Sequence, residues 1–166
     1  GAIGAMLLAF IALIAMLNGM LEAAGALVGL EQLTLERVLG GLLQPLAWAL
    51  GVPWNEAQLA GSLIGQKFIL NEFVAYVSYS EIADQLSPHA QAIVIFALCG
   101  FANLSSIAIL LGGLGAVAPS RRDDISRYGM RALIAASLSN LMSAALAGFF
   151  LSLGSFSSKG LLNDPL

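Results

Sequence analysis

Polar and apolar residues along this chain alternate in long blocks rather than in short surface-and-core periods. Gly1–Leu21 carries no charge and is built largely of Ala, Leu, Ile and Met. About 20 helical residues, each rising about 1.5 Å, cross the hydrocarbon core of a bilayer, so this block predicts a transmembrane helix. Glu22, Gly25 and Gly29 mark its exit, and residues 1–29 form the first segment. Over residues 30–54 the pattern changes. Leu33, Leu35, Val38, Leu39, Leu42 and Leu43 are interrupted by Glu31, Glu36 and Arg37, and Pro45, Trp48, Pro53 and Trp54 follow. Such a pattern suits an amphipathic helix in the membrane interface, where an indole keeps its ring in apolar surroundings and its N–H near water. A loop with one buried apolar face would read the same way.

Residues 55–86 are apolar enough to span, yet carry Lys67, Asn71 and Glu72 near their middle, with Gly61 and Gly65 before them. A charge at membrane depth costs about 2.5–3.5 kcal/mol on insertion scales, so such groups face protein or a water-filled cavity. A broken helix is expected here. Gln85–Ser120 then holds no formally charged residue. It is too long for one span and too short for two with a loop, and its midpoint, Gly100–Ser106, is small and polar. Residues 87–120 therefore predict a re-entrant hairpin of two half-helices. Non-helical backbone at membrane depth is tolerated only where it lines a cavity or is buried in protein, and transporters aim such broken helices at polar substrates. Pro119 ends the hairpin. Arg121, Arg122, Arg127 and Arg131 follow, which makes this short loop cytoplasmic by the positive-inside rule. The last transmembrane helix is expected over 124–153, with Ser137, Ser139, Asn140 and Ser143 available for interhelical contacts. Residues 154–166 read as a flexible tail.

Composition sharpens this to an all-α integral membrane protein. Charged residues make up 10% of the 166 and mean hydropathy is +0.87, where a soluble domain needs about a quarter charged to meet water. A net charge of −3 and the lack of a basic run with interleaved aromatics exclude nucleic acid as a partner. The single cysteine, Cys99, excludes an internal disulfide. No metal-ligand spacing, P-loop or nucleophile–base pair is present; His89 stands alone. The chain opens in apolar sequence without an initiator Met, so it is expected to be part of something longer.

Two clusters carry the candidate chemistry. Glu72 either protonates, meets donors, or pairs with Lys67, although their spacing matches neither of the helical contacts i,i+3 and i,i+4. Asn103, Ser105 and Ser106 could cap two half-helices, bind a ligand at the positive end of a helix dipole, or both. Phe101 beside them is either core packing or a stacking face for a planar ring. One carboxylate, one amide, two hydroxyls and an aromatic face suit a ligand with vicinal hydroxyls and a heterocycle; a sugar, an amino acid and a nucleoside all stay open. A channel would show a polar stripe through several spans. An enzyme would pair Glu72 with a second catalytic group, and none is evident.

Asn71-Glu72-Phe73-Val74-Ala75-Tyr76, followed by Cys99-Gly100-Phe101-Ala102-Asn103-Leu104-Ser105-Ser106-Ile107, closely resembles the concentrative nucleoside transporter family. Gly51-Val52-Pro53-Trp54, Gly112-Gly113-Leu114-Gly115 and Pro119-Ser120-Arg121-Arg122 continue the likeness, which runs to about Leu153. The resemblance implies cation-coupled nucleoside uptake, with sodium or in some members protons, by a homotrimer in the cell membrane, here a bacterial inner membrane. It implies that Glu72 holds the ribose hydroxyls, that Asn103 and Ser106 contact the ribose, and that Phe101 lies near the base. Residues 1–21 would be a scaffold helix near the trimer axis, 33–50 the interfacial helix beside it, and 55–153 part of a moving transport domain. The family's first hairpin, with its Gln-Thr-Glu type motif and sodium ligands, is not among these residues. No sodium ligand is therefore assigned, and the coupling ion's ligands are expected outside the chain. The alternative is a non-transporting scaffold or channel-like subunit of the same fold.

Overall fold

The computed structural model describes residues 2–30 and 32–162, with side chains described for 8–9, 11–30 and 32–155. Gly1, Glu31 and residues 163–166, which the sequence assigns to the first span, the interfacial segment and the tail, lie outside the described residues. Among the described residues the chain is helical and holds no strand. Seven α-helices follow one another: α1 (Ala2–Leu27), α2 (Leu35–Ala49), α3 (Trp54–Ile69), α4 (Glu72–Ile82), α5 (Pro88–Leu98), α6 (Leu104–Val117) and α7 (Arg122–Leu162). Single 3-10 turns at Ala83–Gln85 and Pro119–Arg121 join α4 to α5 and α6 to α7.

α1 runs past the expected exit at Glu22 to Leu27, carried by the helix formers Ala23, Ala24 and Ala26. Its apolar side chains stay uncovered: Leu8 is 70% exposed and Met20 63%. α7 repeats this, with Leu138 62% and Phe150 64% exposed, and it is long and apolar enough to cross a membrane. Contiguous apolar faces of this size need lipid or protein against them.

α2 is shorter than the segment expected over 30–54. Thr34 caps it by accepting from the Arg37 N–H at 3.2 Å. Gly51 (φ +105) ends it in a Schellman turn: its N–H bonds the Trp48 carbonyl at 2.9 Å, and the Val52 N–H the Ala47 carbonyl at 3.2 Å. The chain then doubles back so that α3 lies on α2 backbone to backbone. A Cβ at Gly61 would stand 2.8 Å from the Leu43 carbonyl carbon and 2.9 Å from the Gln44 nitrogen, so only glycine fits there. Ala60, Leu63 and Ile64 of α3 meet Ala90, Ile93, Val94 and Ala97 of α5 and Leu141 and Ala144 of α7 in one core.

Helical geometry breaks between α3 and α4. Leu70 sits at φ −96, ψ −91, and Asn71 restarts the helix by accepting from the Val74 N–H at 2.9 Å. The two segments differ from expectation. α4 folds back on α3, with the Ser78 hydroxyl bonded to Gln66, so the hairpin lies in the expected broken helix over 55–86. The segment expected as a hairpin over 87–120 is instead a broken helix. Its halves α5 and α6 meet tip to tip at residues 99–103 and run in line along α7, with Ile93 against Gly148, Gly100 against Asn140 and Ile107 against Gly129. Ser87 caps α5, and Glu56 of α3 accepts from both its N–H (2.8 Å) and its hydroxyl (2.9 Å), which fastens the start of α5 to the start of α3. The tail differs from the expectation. α7 continues past Leu153 to Leu162, because Gly and Ser lower helix propensity without breaking a helix. The Ser152 and Ser155 hydroxyls bond back to the Gly148 and Leu151 carbonyls, a contact that helical geometry accommodates.

Candidate functional site

The α3–α4 turn and the tips of the broken helix α5–α6 meet. Both features arise locally, because an Asn at each helix start accepts from a backbone N–H three residues on and so releases the preceding residues from helical geometry. Asn103 caps α6 through Oδ1, which accepts from the Ser106 N–H at 2.9 Å and from the Ser105 hydroxyl at 2.6 Å. With Oδ1 thus occupied, the amide nitrogen points away from α6, and it donates to Glu72 Oε2 at 2.9 Å. One side chain therefore serves both the cap and the contact to Glu72.

Asn103 is fully buried, and Glu72, the first residue of α4, is half-buried. Among the described residues nothing donates to Glu72 Oε1. The carboxylate thus keeps an acceptor oxygen beyond the one that Asn103 occupies. Phe101, two residues before Asn103, is 59% exposed. Ser106 behaves differently: its hydroxyl is buried and donates to the Asn103 carbonyl at 2.6 Å. Ser105 Oγ also lies 3.3 Å from the Leu70 carbonyl, an alternative acceptor for its one proton, which brings the tip against the α3–α4 turn. So Glu72, Asn103 and Ser106 form one connected group, with Phe101 beside it on the tip.

Supporting contacts hold the two broken ends in register. Gln66, buried in the last turns of α3, accepts from the Ser78 hydroxyl of α4 at 2.7 Å. The Tyr76 hydroxyl of α4 donates to the Ile95 carbonyl of α5 at 3.0 Å. An open groove of about 300 Å³ lies between α1 and α4, lined by Ile11, Ile14, Asn18, Glu36, Val77 and Glu81, and Glu72 takes no part in it. A second, apolar groove of about 420 Å³ runs between Phe68, Leu104, Leu133 and Leu138.

Lys67 is not the ion-pair partner of Glu72. Among the described residues it forms no salt bridge. It is fully buried, its ammonium donates to Asn140 Oδ1 at 2.5 Å, and it stands 4.9 Å from the centre of the Phe68 ring. Sequence reasoning took Asn140 for a general interhelical contact on α7. The available signal was its place as an amide in the uncharged span Ala132–Leu153, where a group with two donors and an acceptor needs specific partners.

Comparison with known proteins agrees with this architecture. A family profile described as "Na+ dependent nucleoside transporter C-terminus" matches residues 1–148. The chain is similar to the uncharacterised transporter YutK of Bacillus subtilis, 56% identical over 149 residues that make up 90% of this chain and 37% of that protein. It is 48% identical over 156 residues to the nucleoside permease NupC of Helicobacter pylori, covering 91% of this chain and 37% of that one. Among solved structures, CNTnw in an inward-facing substrate-bound state superposes with a TM-score of 0.87 at 56% identity, over 92% of this chain and 38% of that chain. The chain thus spans well under half the length of each of these relatives.

Proposed function

The chain belongs to the Na+-dependent nucleoside transporter family, over the stretch described as its C-terminus, and from that membership we propose that it supplies the ribose-binding part of a cation-coupled nucleoside symporter. The observation that carries the reading is the 2.9 Å contact between Asn103 Nδ2 and Glu72 Oε2 at the meeting of two helix breaks. A carboxylate accepts only, so it suits the vicinal hydroxyls of a ribose, which both donate to it. Asn103 fixes one oxygen of Glu72 and leaves Oε1 to accept from one hydroxyl. The second hydroxyl takes the shared Oε2 and approaches the Asn103 amide. Phe101, exposed at the tip, offers a face to the base; stacking of this kind is worth about 1–3 kcal/mol in nucleic-acid proteins. Ser106 contributes through the Asn103 carbonyl that it holds, with its hydroxyl oxygen free to accept.

Sodium is proposed as the coupling ion, supported by the description of the family profile, with ligands contributed from outside this chain. A homotrimer in a bacterial cell membrane is proposed as the assembly. The uncovered apolar face of α1 supports a protein–protein contact there.

The test is a cycle of ligand and protein in the full-length transporter. Hydrogen bonds to a charged group contribute about 1.5–3 kcal/mol, or roughly 10- to 150-fold in affinity. Glu72→Gln should weaken uridine by that factor in uptake competition, and should weaken 2′,3′-dideoxyuridine far less, since the contact is already missing. Equal loss for both ligands would mean that Glu72 does not touch the ribose.

A further inference from the structure

Each end of the α5–α6 break is tied to the last turn of α3, by different means. The α6 end lies directly against it, with Ser105 Oγ, bonded to Asn103 Oδ1, also 3.3 Å from the Leu70 carbonyl. The α5 end is held through α7. Asn140 Nδ2 donates to the Phe96 carbonyl at 2.9 Å and to the Cys99 carbonyl at 3.1 Å, while its Oδ1 accepts from Lys67 at 2.5 Å. Carbonyls in the last turn of a helix lack intrahelical partners, and Asn140 takes up two of them. An ammonium can only donate. Lys67 therefore fixes the amide with its oxygen towards α3 and both its N–H groups towards α5. Gly100 permits the contact by close approach: a Cβ there would stand 2.8 Å from Asn140 Oδ1 and 2.9 Å from its Cγ.

We infer that Asn140, oriented by Lys67, is a positioning residue for the ribose-binding pair. It pins the α5 end of the tip so that Asn103, three residues beyond Gly100, keeps its amide on Glu72. The inference rests on the ribose reading above. Asn140 acts through the tip and makes no contact with substrate. Two different perturbations reach the same element. Asn140→Ala removes the clamp, and Gly100→Ala pushes the amide aside while leaving its chemistry intact.

The experiment measures competition by uridine and by 2′,3′-dideoxyuridine in full-length transporter, for Asn140→Ala, Gly100→Ala and Glu72→Gln in parallel. Misplacing the pair should weaken uridine by about tenfold in both clamp variants, the lower end for hydrogen bonds to a charged group, and leave the dideoxy analogue nearly unchanged. That analogue reports the fold in the same preparation. Equal loss of both ligands, or failure of both clamp variants to accumulate folded, would make Asn140 a structural element of the whole chain and overturn the inference. Unchanged uridine affinity in both clamp variants would overturn it too. If Glu72→Gln shows no discrimination between the ligands, the ribose reading itself fails and the clamp falls with it. If Glu72→Gln discriminates and the clamp variants do not, only the clamp fails.

Discussion

Asn103 performs two tasks that substitution can separate. Its Oδ1 caps α6, and its Nδ2 reaches Glu72. Asn103→Ser keeps a good N-cap but is too short to reach Glu72, so it removes the second task alone. Asn103→Asp also keeps the cap but sets a second carboxylate about 3 Å from the first. Two unit charges at that distance repel by about 5–6 kcal/mol at an effective dielectric of about 20, and solvent at the half-buried Glu72 screens part of it. Asn103→Ala loses both tasks, and the cap alone is worth about 0.5–2 kcal/mol. The order expected for uridine affinity in full-length transporter is therefore wild type, then Ser, then Asp. The Ser variant should lose about 10- to 150-fold, the range for one hydrogen bond to a charged group. Thermal unfolding in detergent should rank differently, with Ser nearer to wild type than Ala. Uptake competition and a melting curve on the same preparations give both rankings. If Asn103→Ser bound uridine within about threefold of wild type while Asn103→Ala lost stability, capping would be the whole role of this residue, and the ribose assignment would be wrong.

Two further outcomes test the frame around the site. Gly61→Ala gains up to about 1 kcal/mol of helix propensity, but it forces a methyl to within 2.8 Å of the Leu43 backbone, which cannot move as a flexible side chain can. Overpacking costs about 1–3 kcal/mol, so the melting temperature should fall, and a rise would contradict the close approach of α2 and α3. By the positive-inside rule the loop carrying Arg121, Arg122, Arg127 and Arg131 is expected in the cytoplasm, so a cysteine introduced at Ser120 in a cysteine-free full-length background should react with an impermeant reagent only after permeabilisation. Labelling of intact cells would reverse the orientation.

What could be read from the chain alone was whatever is local. Asn71 and Asn103 interrupt apolar runs, and each caps the helix that follows by accepting from an N–H three residues on. A cap is a contact between near neighbours, so the break before Glu72 and the tip before α6 were legible as positions in the sequence. The resemblance carried by the same residues named the family, and the family match over residues 1–148 agrees with that. The end of α7 was less legible. Gly and Ser marked the region after Leu153 as weak helix, and weak propensity does not decide where a long helix stops.

The pairing of those local features lay beyond the sequence. Glu72 and Asn103 are separated by 31 positions, and Lys67 and Asn140 by 73. Lys67 had an obvious candidate nearby in Glu72, and the fold gave it Asn140 instead. The reason is geometric: the break turns α4 away from the axis of α3, while packing of α5 and α7 against α3 brings Asn140 to its last turn. Side-chain chemistry determines what each buried polar group requires. Which partner satisfies it depends on how closely the helices approach, and that rests on contacts such as Gly61 against Leu43 and Gly100 against Asn140. These contacts exist only once the helices have packed.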